Sequence, residues 1–178
     1  IISKVTVSVF GVWHDAPDDL DLLLVGPAGQ KVLIMSDAGG ASPVTGVNLT
    51  FNDAASAPPD SGQLNSGTFR PTDFAPADSF PSPAPPGPYA TQLAALAGAN
   101  PIGTWSLFVY DDTFGLGGVL SNGWALTLTT TNLVCCSGGA DADLSVTLTD
   151  SPDPALTANP LNYDLLVVNS GPANATGV

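Results

Sequence analysis

The sequence contains no glutamate and few cationic residues. All 16 acidic residues are aspartate, and with only three lysines and arginines the formal net charge is -13. The short carboxylate of aspartate bonds to nearby backbone and favours turns and caps, whereas glutamate is a good helix former. The 19 glycines and 17 prolines also interrupt regular structure. This composition predicts short strands joined by loops and argues against a mainly helical fold.

The shortage of cations also excludes two classes of partner. Lys4, Lys31 and Arg70 are too few to form the basic patch that neutralises nucleic-acid phosphates or anionic membrane surfaces. No apolar run reaches the length of a membrane span, and no signal peptide is recognisable. We therefore expect no nucleic-acid partner and no membrane insertion, and we interpret the chain as a piece of a larger protein.

Cysteine is equally scarce, since the chain has one adjacent pair, Cys135 and Cys136. A disulfide between neighbours closes a small strained ring, so the pair is not a staple of the long-loop kind. Its spacing is not that of a metal site either. The redox state of the pair and the compartment of the protein therefore stay open.

What the sequence does have is apolar alternation of period two. Val5, Val7 and Val9 share one face of an expected strand. A Pro-Gly turn at 26–30 separates the next two apolar segments and indicates a hairpin. Six or seven such strands are expected before residue 130, the pattern of a β-sandwich of Greek-key or jelly-roll type. A helix is expected only within 89–98.

Two stretches interrupt or follow these strands. Residues 54–90 are rich in Pro, Ser and Ala, and because proline cannot donate to strand pairing we predict a loop there. So long a loop normally packs on itself or carries function. Residues 131–140 predict a linker that ends near Ser-Gly-Gly. Two further strands are expected at 143–149 and 161–169.

Four phrases, taken together in their order and spacing, resemble the P domain (P/Homo B) of bacterial subtilisin-like proprotein convertases. They are the stretch from His14 to Gly29, SGTFRP (66–71), ALAGANPIGTWSLFVYDD (95–112) and GVLSNGWALTL (118–128). The resemblance implies an all-β fold, a jelly-roll (galactose-binding-like) β-sandwich over 1–130. Trp105 and Trp124 are expected to be substantially buried in its core.

The same resemblance implies a function. The chain is expected to be a non-catalytic structural or stabilising module of a secreted or cell-surface multidomain bacterial protein, once attached to a subtilisin-like protease. Its partners are then the neighbouring domains of that protein. The alternative is a calcium-dependent adhesion module that binds a glycan or a surface protein. Trp13, Phe80, Tyr89 and Phe114 could stack on sugars, although such residues are more often core or loop packing.

The tail, 141–178, resembles the start of an immunoglobulin-like tandem repeat of bacterial surface proteins. DSPDP, the strand with Tyr163 and the NSGP phrase carry this likeness. It implies a truncated immunoglobulin-like β segment with only the first strands of that domain. Two strands rarely build an independent core, so we expect the tail to be covered by another surface, with self-association through its strand edge as the favoured case.

Aspartates cluster at two places that the P-domain fold is expected to bring together. Asp19 and Asp21 are expected to point to the same side of an extended strand, and Asp111 and Asp112 end another strand. Because calcium takes six to eight oxygen ligands, these four residues are the candidate calcium ligands. The alternative is that they are solvated turn residues. Leu116 favours that alternative, since the family usually has a second Asp at this position.

Catalysis is not supported by the sequence. His14 is the only histidine, and no nucleophile signature such as G-x-S-x-G accompanies it. The catalytic set of a subtilisin would lie in a separate domain. We therefore predict a structural role for His14 and no enzymatic activity for this chain.

Overall fold

The fold was analysed in a computed structural model. It describes residues 1–74, 78–131, 142–151, 162–171 and 173–174, with backbone only for 148–151 and 162–164. The chain divides into two compact units, Ile1–Leu133 and Val134–Val178. Residues 132–140 of the expected linker, which include the cysteine pair, lie outside the described residues. Each unit is described by itself below.

Within the described residues the chain forms eleven strands and two short 3₁₀ turns, Pro17–Asp19 and Leu93–Leu96. The strands are β1 (Ile2–His14), β2 (Leu20–Val25), β3 (Lys31–Ser36), β4 (Val44–Phe51), β5 (Gly67–Phe69), β6 (Thr72–Asp73), β7 (Ser106–Asp111), β8 (Gly118–Leu120), β9 (Trp124–Thr130), β10 (Leu144–Ser151) and β11 (Asn162–Asn169). The prediction of an all-β chain is confirmed.

The first unit consists of two sheets. In the first sheet, β1 lies between β4 on one side and β8 and β9 on the other, and β5 pairs in parallel with β4. The second sheet has the order β6-β3-β2-β7, with β6 parallel to β3. One apolar cluster contains residues of both sheets. The unit is therefore a β-sandwich-like arrangement with its core between the two sheets.

The core follows the alternation read in the sequence. Val5, Val7 and Val9 of β1 are all buried, as predicted from their period of two. Leu22 and Leu24 of β2 belong to the same cluster. Burial of side chains of this size stabilises the fold by about 1.5–3 kcal/mol each, so these strands hold the two sheets together.

The Pro-rich stretch covers the outer face of the second sheet. Phe80 packs with Leu23 and Leu33 in a second apolar cluster, against which Tyr89 and Tyr110 also lie. The prediction of a loop throughout 54–90 is wrong in part, because β5 and β6 fall within it. These strands are too short to show an apolar alternation, and their parallel pairing depends on partners distant in the sequence.

The predicted helix within 89–98 is wrong except for a single 3₁₀ turn, Leu93–Leu96. The carboxylate of Asp53 accepts hydrogen bonds from the backbone N–H groups of Leu93 (2.8 Å) and Ala94 (2.7 Å). This contact satisfies the free donors at the start of the turn. Leu93 and Leu96 are both buried, so the packing of these two side chains stabilises the turn.

The two tryptophans have different surroundings. Trp105 is half-buried, packs against the main core, and donates from Nε1 to the carbonyl oxygen of Pro101 at 3.0 Å. Trp124 is 37% exposed, so the prediction that it is substantially buried is wrong. It begins β9, which pairs with β1 on one side.

The second unit, in its described part, is an antiparallel hairpin. β10 pairs with β11 from Leu144 opposite Asn169 to Ser151 opposite Asn162. The described apolar side chains of both strands are exposed, among them Val146 at 62% and Leu165 at 63%. None of the described residues of the chain forms a helix with the length and hydropathy of a membrane span.

Candidate metal centre

Three aspartates meet where β3 ends. β6 runs parallel to β3, and its register places Asp73 beside Ser36, the last residue of β3. Asp37 follows Ser36 directly and has a φ of 52°, in the left-handed region that L-residues rarely adopt. Asp78 approaches from the stretch that covers the outer face of the sheet. The strand pairing thus gathers carboxylates that are distant in the sequence.

The three carboxylates are close enough together to bind one cation. One oxygen from each of Asp37, Asp73 and Asp78 lies within 4.8 Å of the other two. Ser36, which is fully buried, has its hydroxyl 2.6 Å from Asp78 Oδ2 and 3.0 Å from Asp37 Oδ2. A hydroxyl has a single hydrogen to donate. Ser36 therefore cannot satisfy both carboxylates at once.

A further oxygen of this cluster has no hydrogen-bond partner. Asp73 Oδ1 is buried and makes no hydrogen bond to any described residue. Burial of a polar atom without a partner costs about 1–3 kcal/mol, more when the group is charged. This buried oxygen lies beside two other carboxylates. A cation bound among them would supply the partner that it lacks.

Asp21 of β2 adjoins the cluster through Ser36. Its side chain is 3% exposed. Burial raises its pKa to about 7, opposed by a hydrogen bond from Ser36 and reinforced by the charges of Asp78, Asp112 and Asp37. Burial likewise raises the pKa of Asp73 to about 6, and the charges of Asp78 and Asp37 add to this shift. The neighbours that raise these values are other aspartates, so negative charge is concentrated here.

The neighbouring 3₁₀ turn shares this environment. Burial raises the pKa of Asp18 above its ordinary value. A backbone hydrogen bond at Gly40 opposes this shift, and the charges of Asp37, Asp19 and Asp60 reinforce it. The charge of Asp37 thus helps to raise the pKa of Asp18 as well as the pKa values of Asp21 and Asp73. The acidic region therefore extends from β6 to the start of β2.

The donor set suits a hard divalent cation. Carboxylate and hydroxyl oxygens are the ligands that Ca²⁺ and Mg²⁺ prefer, and three aspartates with Ser36 supply several of the six to eight oxygens that calcium takes. Neither histidine nor cysteine belongs to the group, and transition metals such as zinc are usually bound through those residues. The donor set therefore suits Ca²⁺ or Mg²⁺ better than zinc.

The four aspartates proposed from the sequence occupy different surroundings. Asp21 adjoins the cluster, and Asp112 contributes through its charge on Asp21. Asp19 ends the 3₁₀ turn instead of lying in the strand with Asp21. Asp111 faces His14, with Oδ2 3.4 Å from Nε2. The sequence reasoning missed Asp37, Asp73 and Asp78. A weak signal existed only for Asp37, which stands between an apolar strand and a Gly-Gly pair.

A cavity opens beside the cluster. It has a volume of about 300 Å³ and is lined by Asp73, Asp78, Gly87, Pro88 and Tyr89. The Tyr89 hydroxyl donates to the carbonyl oxygen of Pro85 at 2.9 Å, and the Lys31 ammonium lies 5.8 Å from the ring centroid. The aromatic ring is therefore held in place next to two of the three carboxylates.

Comparison with models of known protein families, with curated proteins and with solved structures finds no match for this chain. The resemblances to a P domain and to an immunoglobulin-like repeat therefore stay predictions.

Proposed function

We propose that the first unit is a non-catalytic module whose sandwich is stabilised by a calcium ion bound to Asp37, Asp73 and Asp78. In this proposal the unit is a jelly-roll that serves as a structural domain of a secreted or cell-surface multidomain protein, with the neighbouring domains of that protein as its partners. The observation that carries the proposal is the buried Oδ1 of Asp73, which has no hydrogen-bond partner in the described part of the chain and lies among converging carboxylates.

The surroundings of His14 support a non-catalytic role. Its Nδ1 accepts a hydrogen bond from the backbone N–H of Ala16 at 3.2 Å, so the single hydrogen of the neutral ring resides on Nε2. Neither ring nitrogen then has a free lone pair with which to act as a general base. This geometry supports the structural role that the sequence predicts for His14.

The proposal is tested by thermal unfolding of the whole chain with chelator, Ca²⁺ or Mg²⁺. Calcium that binds only the native state adds about 2.7 kcal/mol of stability at a concentration one hundred times its Kd. Asp78→Asn should abolish this gain. The same variant should raise the stability of the metal-free protein, because it removes a charge that disfavours ionisation of Asp21 and Asp73.

These opposite signs separate a cation site from a structural hydrogen bond. If Asp78 only held Ser36 in place, its replacement would lower the stability of the metal-free protein and leave the response to calcium unchanged. Asp143→Asn is the matched control, since it removes the same charge in the second unit. An unmoved melting temperature in millimolar calcium would refute the site.

One observation favours a second candidate, cation-dependent glycan binding. The cavity beside the cluster is lined by Asp73 and Asp78 together with Tyr89. A cation in the cluster could bind sugar hydroxyls there while the tyrosine packs against the sugar ring. Glycan-array binding that requires calcium and is lost in Tyr89→Ala would support it. Binding that survives chelation would argue against this route.

A further inference from the structure

Exposed apolar side chains gather at one end of the first unit. β1 and β7 both end there, and residues 112–117 lead from β7 into β8. Large apolar side chains of this end are at least 39% exposed, and Phe114 is fully exposed. A contiguous set of this kind marks an interaction surface more often than scattered exposed residues do. We call it the apolar patch, and its members are Trp13, Val109, Phe114, Leu116 and Val119.

The members of the apolar patch are neighbours in space. Trp13 and Val119 are register partners in the pairing of β1 with β8, so their side chains share one face. Val109 and Val119 line one cleft of about 470 Å³. Phe114 and Leu116 line a second cavity of about 420 Å³, and Asp111 borders both. The patch is therefore continuous and has two hollows that apolar side chains of a partner could enter.

The patch is open because two edge strands meet there. β7 is the last strand of the second sheet, and β8 ends the first sheet on the same side as β9. Val109 of β7 lies opposite Leu22 of β2 and shares its inner face. Leu22 is 0% exposed, whereas Val109 is 47% exposed. The core between the sheets is thus closed at β2 and accessible at β7.

The border of the patch is acidic. Asp111 ends β7, and Asp112 follows it directly. The backbone N–H of Asp112 donates to the carbonyl oxygen of Asp19 at 3.1 Å, and the N–H of Asp15 donates to that of Gly117 at 3.1 Å. These backbone contacts bring two further aspartates to the same end. Four carboxyl groups therefore border the exposed apolar side chains.

The cationic side chains lie elsewhere. Lys4 stands ten residues before the end of β1, roughly 30 Å along an extended strand. Lys31 pairs with Val25, the last residue of β2, whereas β2 meets the patch at its first residue. Arg70 lines a different cavity. None of these three side chains lines either hollow of the patch, so the carboxyl groups there are left without a cationic neighbour from lysine or arginine.

The charge decides between the possible occupants. A second copy of the chain carries the same net charge of -13, and an anionic membrane is also negative, so both are repelled by this border. A polypeptide with apolar side chains flanked by lysine or arginine matches the apolar centre and the acidic border together. Complementarity of this kind gives protein interfaces their specificity and their rate of association.

We propose that the apolar patch is a docking surface for a partner polypeptide in which apolar residues are flanked by lysine or arginine. The apolar side chains of the partner enter the two hollows beside Val109, Val119 and Phe114. Its cationic groups lie against the carboxyl groups at the border, with the exposed Asp112 as the most accessible of them. This surface does not depend on the proposed cation site, because other residues form it.

The test is an NMR titration of the whole chain, in chelator, with the N-acetylated peptide amide Lys-Leu-Phe-Leu-Lys. We expect shifts at the amides of Phe114 and Val119 and none at Ile102, which is 80% exposed and lies before the start of β7. Two control peptides separate the contributions: Glu-Leu-Phe-Leu-Glu reverses the charge, and Lys-Ala-Ala-Ala-Lys removes the apolar centre. Each should bind at least about tenfold more weakly.

Variants of the chain locate the binding. Phe114→Ser and Val119→Ser change exposed side chains, so the melting temperature should be unchanged while the peptide binds about tenfold more weakly. Ile102→Ser is the matched control and should leave the affinity unchanged. Asp112→Asn should weaken binding by about two- to fivefold, as expected for an exposed ion pair. Asp143→Asn removes the same charge in the second unit and should have no effect.

Four results would overturn the proposal. Equal binding of Lys-Ala-Ala-Ala-Lys would show general attraction to an acidic protein, and equal binding of Glu-Leu-Phe-Leu-Glu would remove the role of charge. An equal loss in Ile102→Ser, or no shift at Phe114 and Val119 in millimolar peptide, would place binding elsewhere or nowhere. Shifts at Val119 that grow with protein concentration in the absence of peptide would show that a second copy occupies the patch.

Discussion

Two strands of this chain have nearly the same sequence and opposite surroundings. β2 contains DLLLV from Asp21 to Val25, and β11 contains DLLVV at 164–168, so the two differ at one position. In β2, Leu22, Leu23 and Leu24 are all 0% exposed. In β11, Leu165 and Leu166 are 63% and 60% exposed. The local sequence therefore decides that each segment forms a strand, but not whether the strand is buried.

The difference comes from what lies next to each strand. β2 is paired on both sides, with β3 and β7. Its inner face packs in the core between the sheets, and its outer face is covered by the stretch around Phe80. β11 has β10 as its strand partner among the described residues. A single hairpin has two faces to cover and no second layer of its own.

The largest expected effect is a difference between paired leucine variants. Leu22→Ala should lower the free energy of unfolding of the first unit by about 2–5 kcal/mol, because it leaves a cavity in a closed core. Leu165→Ala, the residue at the same position after the aspartate of β11, should change it by less than about 0.5 kcal/mol. Urea unfolding followed by tryptophan fluorescence measures both. Equal effects would show that the hairpin leucine is buried in solution.

The aspartate of β2 gives the next prediction. Since the folded-state pKa of Asp21 is raised from 3.8 to about 7, its stabilising contribution is fully present below pH 3.8 and is lost as the pH rises to 7. Asp73 acts in the same direction with a pKa of about 6. The loss has a ceiling of roughly 4 kcal/mol for Asp21. Metal-free protein should therefore unfold more easily at pH 8 than at pH 5.

The control for this pH effect is Asp21→Asn, which should flatten the profile. Calcium should stabilise the protein more at pH 8 than at pH 5, because it binds ionised carboxylates. Stability of the metal-free protein that rises steadily from pH 4 to 8 would contradict the raised pKa values. Circular dichroism melts in chelator across this range are sufficient for the measurement.

Much of the fold could be predicted from the sequence because it depends on local patterns. The alternation of Val5, Val7 and Val9 indicated β1 and its buried face, and the Pro-Gly turn indicated the β2–β3 hairpin. β6 could not be predicted in this way, since two residues carry no period. For the same reason the aspartate cluster was missed: Asp37 and Asp73 meet only through the pairing of β3 with β6.

The tryptophans extend the comparison to two positions within the first unit. Trp105→Ala should lower the free energy of unfolding by about 2 kcal/mol, less than for a fully buried tryptophan, because the ring is only half-buried against the core. Trp124→Ala should lower it by about 1 kcal/mol or less. Denaturant midpoints for the two variants give the ranking. A larger loss for Trp124 would show that β9 is covered in solution.

The smallest free energies concern the opening of the hairpin itself. Amides of β1 are expected to exchange with solvent only through near-global unfolding, whereas β10 and β11, with exposed faces, should open at a much lower cost. In dilute protein we therefore expect the amides of Val167 and Val168 to exchange at least about 100-fold faster than those of Val7 and Val9. Protection that rises with protein concentration would support the self-association expected for the tail. Strong protection of the hairpin that is independent of concentration would instead show that its apolar faces are covered within one chain, and the contrast between β2 and β11 would then not hold in solution.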